Sequence, residues 1–380
     1  MFRFWKKEEV FLSGEDYFDR MIQDIRSATH WVTVEMYIFN DDILGLKVAE
    51  ALIEAARRNV TVQIMVDGVG SHRFFQVLYP LFIKEKIPIK VYNPLPFLHP
   101  YYGKLSFYGK LQTLGIRMLR MNKRDHRKII TIDEEILYTG SFNITAEHTS
   151  LLPGHPWKDM GIRVEGEHVK FAVFNFLKSW RLRLHYQYKK KNKNKNILNW
   201  KHSPIRLNST IFMKIFFQKQ FLNKLNTATV RAWLMTPYFI PKRALIKSLA
   251  KASRRGIDVK LILSLKSDVG IFRTLQTFYY PFLIKSGVKI YLYQESVLHA
   301  KAYIFDQWMT VGSSNLNHRS LMHDLEVDLI IQSEQNHKVI EVDFEKTISL
   351  LKPLTLEDLK QRSLMDQLLA KIFFIFRYWL

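Results

Sequence analysis

"VLHAKAYIFD", residues 297–306, sets His299 and Lys301 two residues apart in a run that otherwise reads as a buried strand. Side chains of a strand alternate faces, so His299, Lys301, Tyr303 and Phe305 share one side, while Ala300, Ala302 and Ile304 pack on the other. Asp306, seven residues after His299, has the opposite parity and falls at the turn-like "DQW". That position suits a turn residue better than a partner of the histidine.

Taken alone, the run fits a half-buried strand with a hydrogen-bonded histidine and a snorkelling lysine. A second copy changes the reading. "DHRKIITIDEEILYTGSFN" places His126, Lys128 and Asp133 at the same HxKxxxxD spacing, and the two copies end alike in "GSFN" (140–143) and "GSSN" (312–315). The duplication is wider than the motif. "YPLFIKEKIPIKVY" (79–92) resembles "YPFLIKSGVKIY" (280–291), "RRNVTVQIMVD" resembles "SRRGIDVKLIL", and "EMYIF" (35–39) sits 201 residues before "TPYFI" (236–240). The chain reads as two homologous halves.

Each half alternates strand-like and helix-like segments, which predicts an α/β fold with a mixed or mainly parallel sheet and helices on its faces. The expected organisation is a first half at 1–185, a Lys/Asn-rich linker at 186–210 containing "KKKNKNKN", a second half at 211–345, and a helical segment at 346–380. The halves differ by an insert at 93–125: 34 residues separate Tyr92 from His126, but only 8 separate Tyr291 from His299. It mixes apolar and basic residues, as a lid or lipid-facing element would. An ordinary helical insertion packed on the core is the other reading.

With 380 residues, 47% of them apolar, the chain can build a substantial core. Its 57 basic and 35 acidic residues leave a formal charge of +22, which points to anionic partners without choosing among nucleic acid, anionic lipid and phosphorylated metabolites. The absence of cysteine excludes disulfides and thiolate metal sites. "MFRFWKKEEV" lacks the apolar core of a signal peptide, and no apolar run reaches 18 residues, so a conventional spanning helix is not expected. The termini "MFRFWKK" and "KIFFIFRYWL" combine aromatics with cations, as segments lying on a membrane surface do, although packing into the fold is equally open.

Two histidines and two lysines brought together across a pseudo-twofold axis suit phosphodiester exchange without a metal or cofactor. One histidine attacks phosphorus; the other protonates the leaving oxygen and then deprotonates the incoming hydroxyl. Lys128 and Lys301 are expected to stay cationic and hold the non-bridging oxygens, with Ser141, Asn143, Ser313 and Asn315 as further substrate-binding candidates.

The paired HxKxxxxD motifs, each followed by GSxN, resemble those of the phospholipase D superfamily. Over its whole length the chain is similar to bacterial cardiolipin synthases of the short form without amino-terminal spanning helices. "VEMYIFNDDILG", "VDGVGS", "RDHRKIITID", "WKDMGIRVEG", "TPYFIP" and "GSSNLNHRSL" carry this closer likeness. The linker and carboxyl-terminal parts match only loosely. The resemblance implies two α/β/α sandwich halves sharing one active site, and a catalytic set of His126, Lys128, Asp133, His299, Lys301 and Asp306 in which the aspartates are mainly structural. It also implies supporting acids at Asp159 and Glu326, with Glu326 expected to serve His299, and His126 as the nucleophile. The expected substrates are phosphatidylglycerol and a phosphatidyl donor, at an anionic surface on the cytoplasmic face of the cell membrane and with no nucleic acid. A lipid hydrolase and a nuclease using the same motifs are the alternatives.

Overall fold

The computed structural model describes residues 4–94, 123–181, 200–266 and 274–361. Most of the insert, the "KKKNKNKN" run and the carboxyl-terminal "KIFFIFRYWL" therefore lie outside the described residues, whereas Trp5 of the amino-terminal "MFRFWKK" is buried in the core with Phe4 against it, so packing into the fold is the reading that holds there.

The first half runs β1 (Lys7–Phe11), α1 (Gly14–Ser27), β2 (Trp31–Met36), α2 (Ile43–Arg57), β3 (Thr61–Asp67), α3 (Leu78–Lys84), β4 (Ile89–Tyr92), β5 (Lys128–Ile132), β6 (Ile136–Gly140), β7 (Gly161–Glu165) and α4 (Val169–Arg181). The second continues β8 (Ile205–Leu207), α5 (Ile211–Thr227), β9 (Arg231–Thr236), β10 (Phe239–Ile240), α6 (Arg243–Arg254), β11 (Asp258–Ser264), α7 (Tyr280–Lys285) and β12 (Lys289–Tyr293). It ends with β13 (Ala302–Phe305), β14 (Trp308–Gly312), β15 (Leu316–Asn317), α8 (His318–Met322), β16 (Val327–Ile330), α9 (Glu334–Ser349) and α10 (Leu356–Lys360).

Each half builds a seven-stranded sheet, in the order β1-β7-β6-β5-β2-β3-β4 and, equivalently, β8-β16-β14-β13-β9-β11-β12. The sheets are mixed, but not mainly parallel. Among the described residues of these two sheets, only β2-β3-β4 and β9-β11-β12 run parallel, where helical crossovers link them; the tight turns after each motif make β5-β6 and β13-β14 antiparallel. Pairing also corrects the repeat register. Phe39 bridges Ile144 as Phe239 pairs with Leu316, so β2 and β9 are offset by 200 residues and the "EMYIF" and "TPYFI" match is one residue out.

The sheets face each other. Ile129, Leu137, Ile162 and Val164 of the first meet Ala302, Ile304, Val311 and Leu329 of the second in one core, closed by Val169 and Phe171 of α4 and Phe344 of α9. The outer faces carry α1 and α2 on one side and α5 and α6 on the other. Helix α1 shows why it docks: Tyr17, Phe18, Met21, Ile22 and Ile25 form an apolar stripe at helical spacing, all buried, and Ser13 caps its amino end. In β13 the alternation is as expected, with Ala302 and Ile304 in the inter-sheet core and Tyr303 and Phe305 in the outer one.

Candidate active site

The motif histidines sit just before β5 and β13, where the two halves touch. Two short parallel bridges make that contact, Asp125 with Leu325 and Lys158 with Leu298. They place His126 N–H on Leu325 O at 2.9 Å and His299 N–H on Lys158 O at 2.8 Å. Glu326 follows Leu325 and Asp159 follows Lys158, so each bridge delivers an acid from one half to the histidine of the other. Nδ1 of His126 is 2.9 Å from Glu326 Oε2, and Nδ1 of His299 is 2.7 Å from Asp159 Oδ2. The expected pairing of Glu326 with His299 is therefore overturned. The acids cross because they arrive through inter-half backbone pairing, not along their own sheet.

Ser141 and Ser313 also take a different place from the one expected. Both are fully buried, and their hydroxyls donate to Asp159 and Glu326 respectively. They hold the carboxylates rather than a substrate. Asn143 and Asn315 are buried at the same strand ends, and Oδ1 of each lacks a protein partner. Those two asparagines keep polar capacity for a ligand.

Asp133 and Asp306 lie at the far ends of the motif strands. Five strand residues carry the chain about 16 Å from Lys128 to Asp133. Asp133 accepts from the backbone of Thr29, His30 and Trp31, and Asp306 from that of Thr229, Val230 and Arg231, each at 2.8–3.0 Å. Both have φ of +51°, the left-handed region that Asp tolerates in a tight turn. They are scaffold residues, so their place in the catalytic set is not supported by position.

The lysines are buried beside their histidines. Lys128 Nζ donates to His126 O at 2.8 Å and Lys301 Nζ to His299 O at 2.5 Å. Burial, and then the charge of Lys301, push Lys128 down to about 7. The expectation that Lys128 stays cationic thus holds only with an anion beside it, since an arriving phosphodiester favours the charged form. Burial first, and next a motif lysine, push both histidines below their ordinary value, His126 the further. Neutral imidazoles with Nδ1 committed to a carboxylate present Nε2 as the reacting atom.

The two acids differ. Burial pushes Glu326 up to about 7, against the pull of Lys128. Burial acts on Asp159 too, but His299, followed by His148 and Lys301, holds it well below the carboxylate range. Nothing in the motif spacing marks His148. It lies five residues after Asn143, with Nδ1 3.1 Å from Asp159; Ser320, five after Asn315, donates to Glu326 at 2.5 Å. Extending the repeat past each asparagine exposes this asymmetry. Tyr37, whose ring centroid is 4.6 Å from that of His126, and Trp157, 5.7 Å from His299, supply aromatic walls.

His148, Asp159 and His299 also bring three ligand-capable atoms within 4.8 Å of one another. Two imidazoles and one carboxylate suit a divalent transition metal by donor type. His299 Nδ1 and Asp159 Oδ2 are, however, already committed to each other by a hydrogen bond.

The family described as "Cardiolipin synthase, PLD-like domain", PLD standing for phospholipase D, matches residues 21–152 and 221–348. The chain belongs to this family. Among curated relatives, cardiolipin synthase 1 of Staphylococcus aureus is 29% identical over 366 residues, spanning 94% of this chain and 70% of the relative. Cardiolipin synthase B of Salmonella typhi is 29% identical over 331 residues, with 84% and 75% covered. Among solved structures, phosphatidylserine synthase of Haemophilus influenzae shares the fold with a TM-score of 0.66 at 15% identity, covering 99% of this chain and 96% of the other. Among the described residues, no helix is long and apolar enough to cross a membrane.

Proposed function

We propose that the chain is a phosphatidyltransferase that makes cardiolipin, moving a phosphatidyl group from a phospholipid donor to a glycerol hydroxyl of phosphatidylglycerol. The observation that carries this reading is the paired site: two histidines, one from each half, each held through Nδ1 by a buried acid of the other half. The relatives named cardiolipin synthases supply the substrate class.

His126 is the nucleophile. It is the more exposed of the two, at 12% against 6% for the His299 side chain, and the more strongly held neutral. Nε2 attacks phosphorus, the bond to the leaving alcohol breaks, and His299, which takes up a proton on Nε2 when the phosphodiester anion arrives beside it and the ionised Asp159, gives that proton to the leaving oxygen. The ionised Asp159 suits His299 to carrying a proton in both directions. In the second step His299 takes a proton from the acceptor hydroxyl, whose oxygen displaces His126 from phosphorus. Lys128 and Lys301, with the side-chain amide N–H groups of Asn143 and Asn315 as donors, hold the non-bridging oxygens as charge shifts.

The protein works at an anionic membrane surface as a peripheral enzyme on the cytoplasmic face. Its +22 charge supports this, since each Lys or Arg near such a surface contributes about 1 kcal/mol. The test is to incubate pure protein separately with phosphatidylglycerol vesicles and with DNA. Cardiolipin and glycerol are the expected products. Phosphatidic acid alone would indicate a hydrolase, and cut DNA with unchanged lipid a nuclease.

A further inference from the structure

The two halves match strand for strand, yet the space between the first helix and the sheet is filled in one and open in the other. The 200-residue offset pairs Tyr17, Met21 and Ile22 of α1 with Phe217, Phe221 and Leu222 of α5. The motifs, offset by 173 at the histidines, are joined by β6 and β14, whose final glycines pair Tyr138 with Thr310 and Phe142 with Ser314. In the first half the Tyr17 ring packs 4.8 Å from Phe142 and 5.5 Å from Tyr138, and Phe18 packs 5.7 Å from Phe142. Gly161 makes room, because a Cβ there would come within 2.8 Å of both Tyr17 and Phe142.

In the second half Thr310 and Ser314 replace those two rings, and Asp328 takes the place of Gly161 opposite Gly312. Helix α5 stands off correspondingly: Phe217, Phe221 and Leu222 are half-buried where Tyr17, Met21 and Ile22 are buried. What remains is a cavity of about 100 Å³ walled by Phe217, Phe221, Leu245, Tyr303, Trp308 and Leu316. Arg206 borders it. Its guanidinium lies 5.2 Å from the Phe217 ring and 5.1 Å from that of Trp308, the residue is 5% exposed, and its Nε has no hydrogen-bond partner. The hollow is mainly apolar, with Lys242 and the Ser314-bonded Asp328 on its polar edge, and its one unanswered buried donor fits a chain that carries an acceptor oxygen.

The outer face of α5 says where such a chain comes from. Phe212 is 78% exposed, with Ile211 and Ile215 beside it; the helix has no acid, and Lys219 and Lys224 lie outside its buried face while Lys214 is buried. Helix α1 instead begins with Glu15 and Asp16 and carries Asp19. Apolar residues interleaved with cations mark a helix that lies on a lipid surface.

We propose that α5 rests on the membrane and that the cavity behind it takes part of one acyl chain of a phospholipid, with the ester carbonyl accepting from Arg206 Nε. An apolar cavity of ~150 Å³ takes a benzene ring, so this one takes a short chain segment, not a whole lipid. The site touches the chemistry: Ser320 lines the cavity and donates to Glu326. The inference rests on the phospholipid reading above, but its test reads binding and not turnover.

The test uses vesicles of phosphatidylglycerol and phosphatidylcholine containing a trace of phosphatidylglycerol with a photoactivatable diazirine near the ester end of one chain. After irradiation, labelled peptides are mapped. Label is expected on Phe217 or Phe221 of α5 and on Leu245 of α6. The double variant Thr310→Tyr with Ser314→Phe, which restores the rings of the first half, is expected to cut that label about tenfold, the equivalent of about two methylene groups losing their burial. Leu245→Trp fills the cavity from the opposite wall and is expected to do the same, so a poorly folded double variant does not decide the matter. Label confined to Phe212 and Ile215, or unchanged in a folded filled variant, would overturn the proposal. Normal cavity labelling without cardiolipin formation would strike the reaction assigned above and leave this site standing.

Discussion

Glu326 holds Nδ1 of His126 at 2.9 Å across 200 residues of sequence and across the boundary between the two halves. Asp159 does the same for His299 at 2.7 Å. Neither half can assemble a working histidine alone, because each lacks the carboxylate that sets its own imidazole. Glu326→Gln should therefore shift the ¹⁵N and proton resonances of His126 and leave those of His299 nearly unmoved, and Asp159→Asn should do the reverse. A Glu326→Gln effect confined to His299 would contradict the crossing.

Loss of either imidazole should stop turnover without unfolding the protein. Removing a general acid-base group costs roughly a hundredfold to ten-thousandfold, so His299→Ala is expected in that range, and His126→Ala, which also loses the nucleophile, lower still. Lipid product analysis with circular dichroism on the same samples checks this.

The pH profile should carry the signature of Glu326. Its carboxyl is raised to about 7 in the folded chain, so it loses its charge as pH falls through 7, and kcat/KM is expected to decline on that acid side. Stability moves the other way. A carboxyl raised above its unfolded value binds more protons when folded, so its contribution is fully present below the unfolded value of 4.5 and is lost as pH rises through about 7. Glu326→Gln should thus melt no lower than wild type at pH 8 while losing the acid limb of the residual activity.

Several of these relationships were visible before any coordinates. Two HxKxxxxD copies with matching flanks declared the duplication, and strand parity set Asp306 apart from His299 because a period of two leaves no freedom. The crossing of the acids was not legible. Asp159 and Glu326 occupy equivalent positions in their own halves, and only the bridges at Asp125–Leu325 and Lys158–Leu298 decide which histidine each meets. The roles of Ser141 and Ser313 were hidden for a similar reason: a hydroxyl at a strand end looks the same whether it faces a phosphate or a neighbouring carboxylate. Of a mixed or a mainly parallel sheet, the mixed one is found, because β/α alternation covers only three strands of each sheet and the motif hairpins add antiparallel pairs.

Asp133 and Asp306 should matter to stability and little to chemistry. Each folded carboxyl lies below its ordinary value: partial burial opposes this, but backbone N–H groups led by Trp31 and Arg231 outweigh it. Such a depressed group contributes stability above its unfolded value and loses it as pH falls through the folded one. Asp306→Ala is expected to cost about 1–2 kcal/mol, like the loss of a capping carboxylate, and to lower Tm while kcat per folded molecule changes little. A thousandfold loss of kcat in a folded Asp306→Ala protein would return it to the catalytic set.

Chelation should leave the reaction intact. Both proton transfers and both phosphate-holding charges are assigned to side chains of this chain, none to a metal acting as Lewis acid or water activator, so EDTA is expected to leave the rate of cardiolipin formation unchanged. Full loss in EDTA, restored by one added metal, would assign the His148–Asp159–His299 cluster an ion.

The most direct measurement is to trap the covalent intermediate. His299→Ala protein, which lacks the group that activates the acceptor, is mixed with a phosphatidyl donor bearing a good leaving group, quenched in alkali and digested for mass spectrometry. The expected result is a phosphatidyl adduct on His126. An adduct on another residue, or none at all while donor is still consumed, would contradict the mechanism.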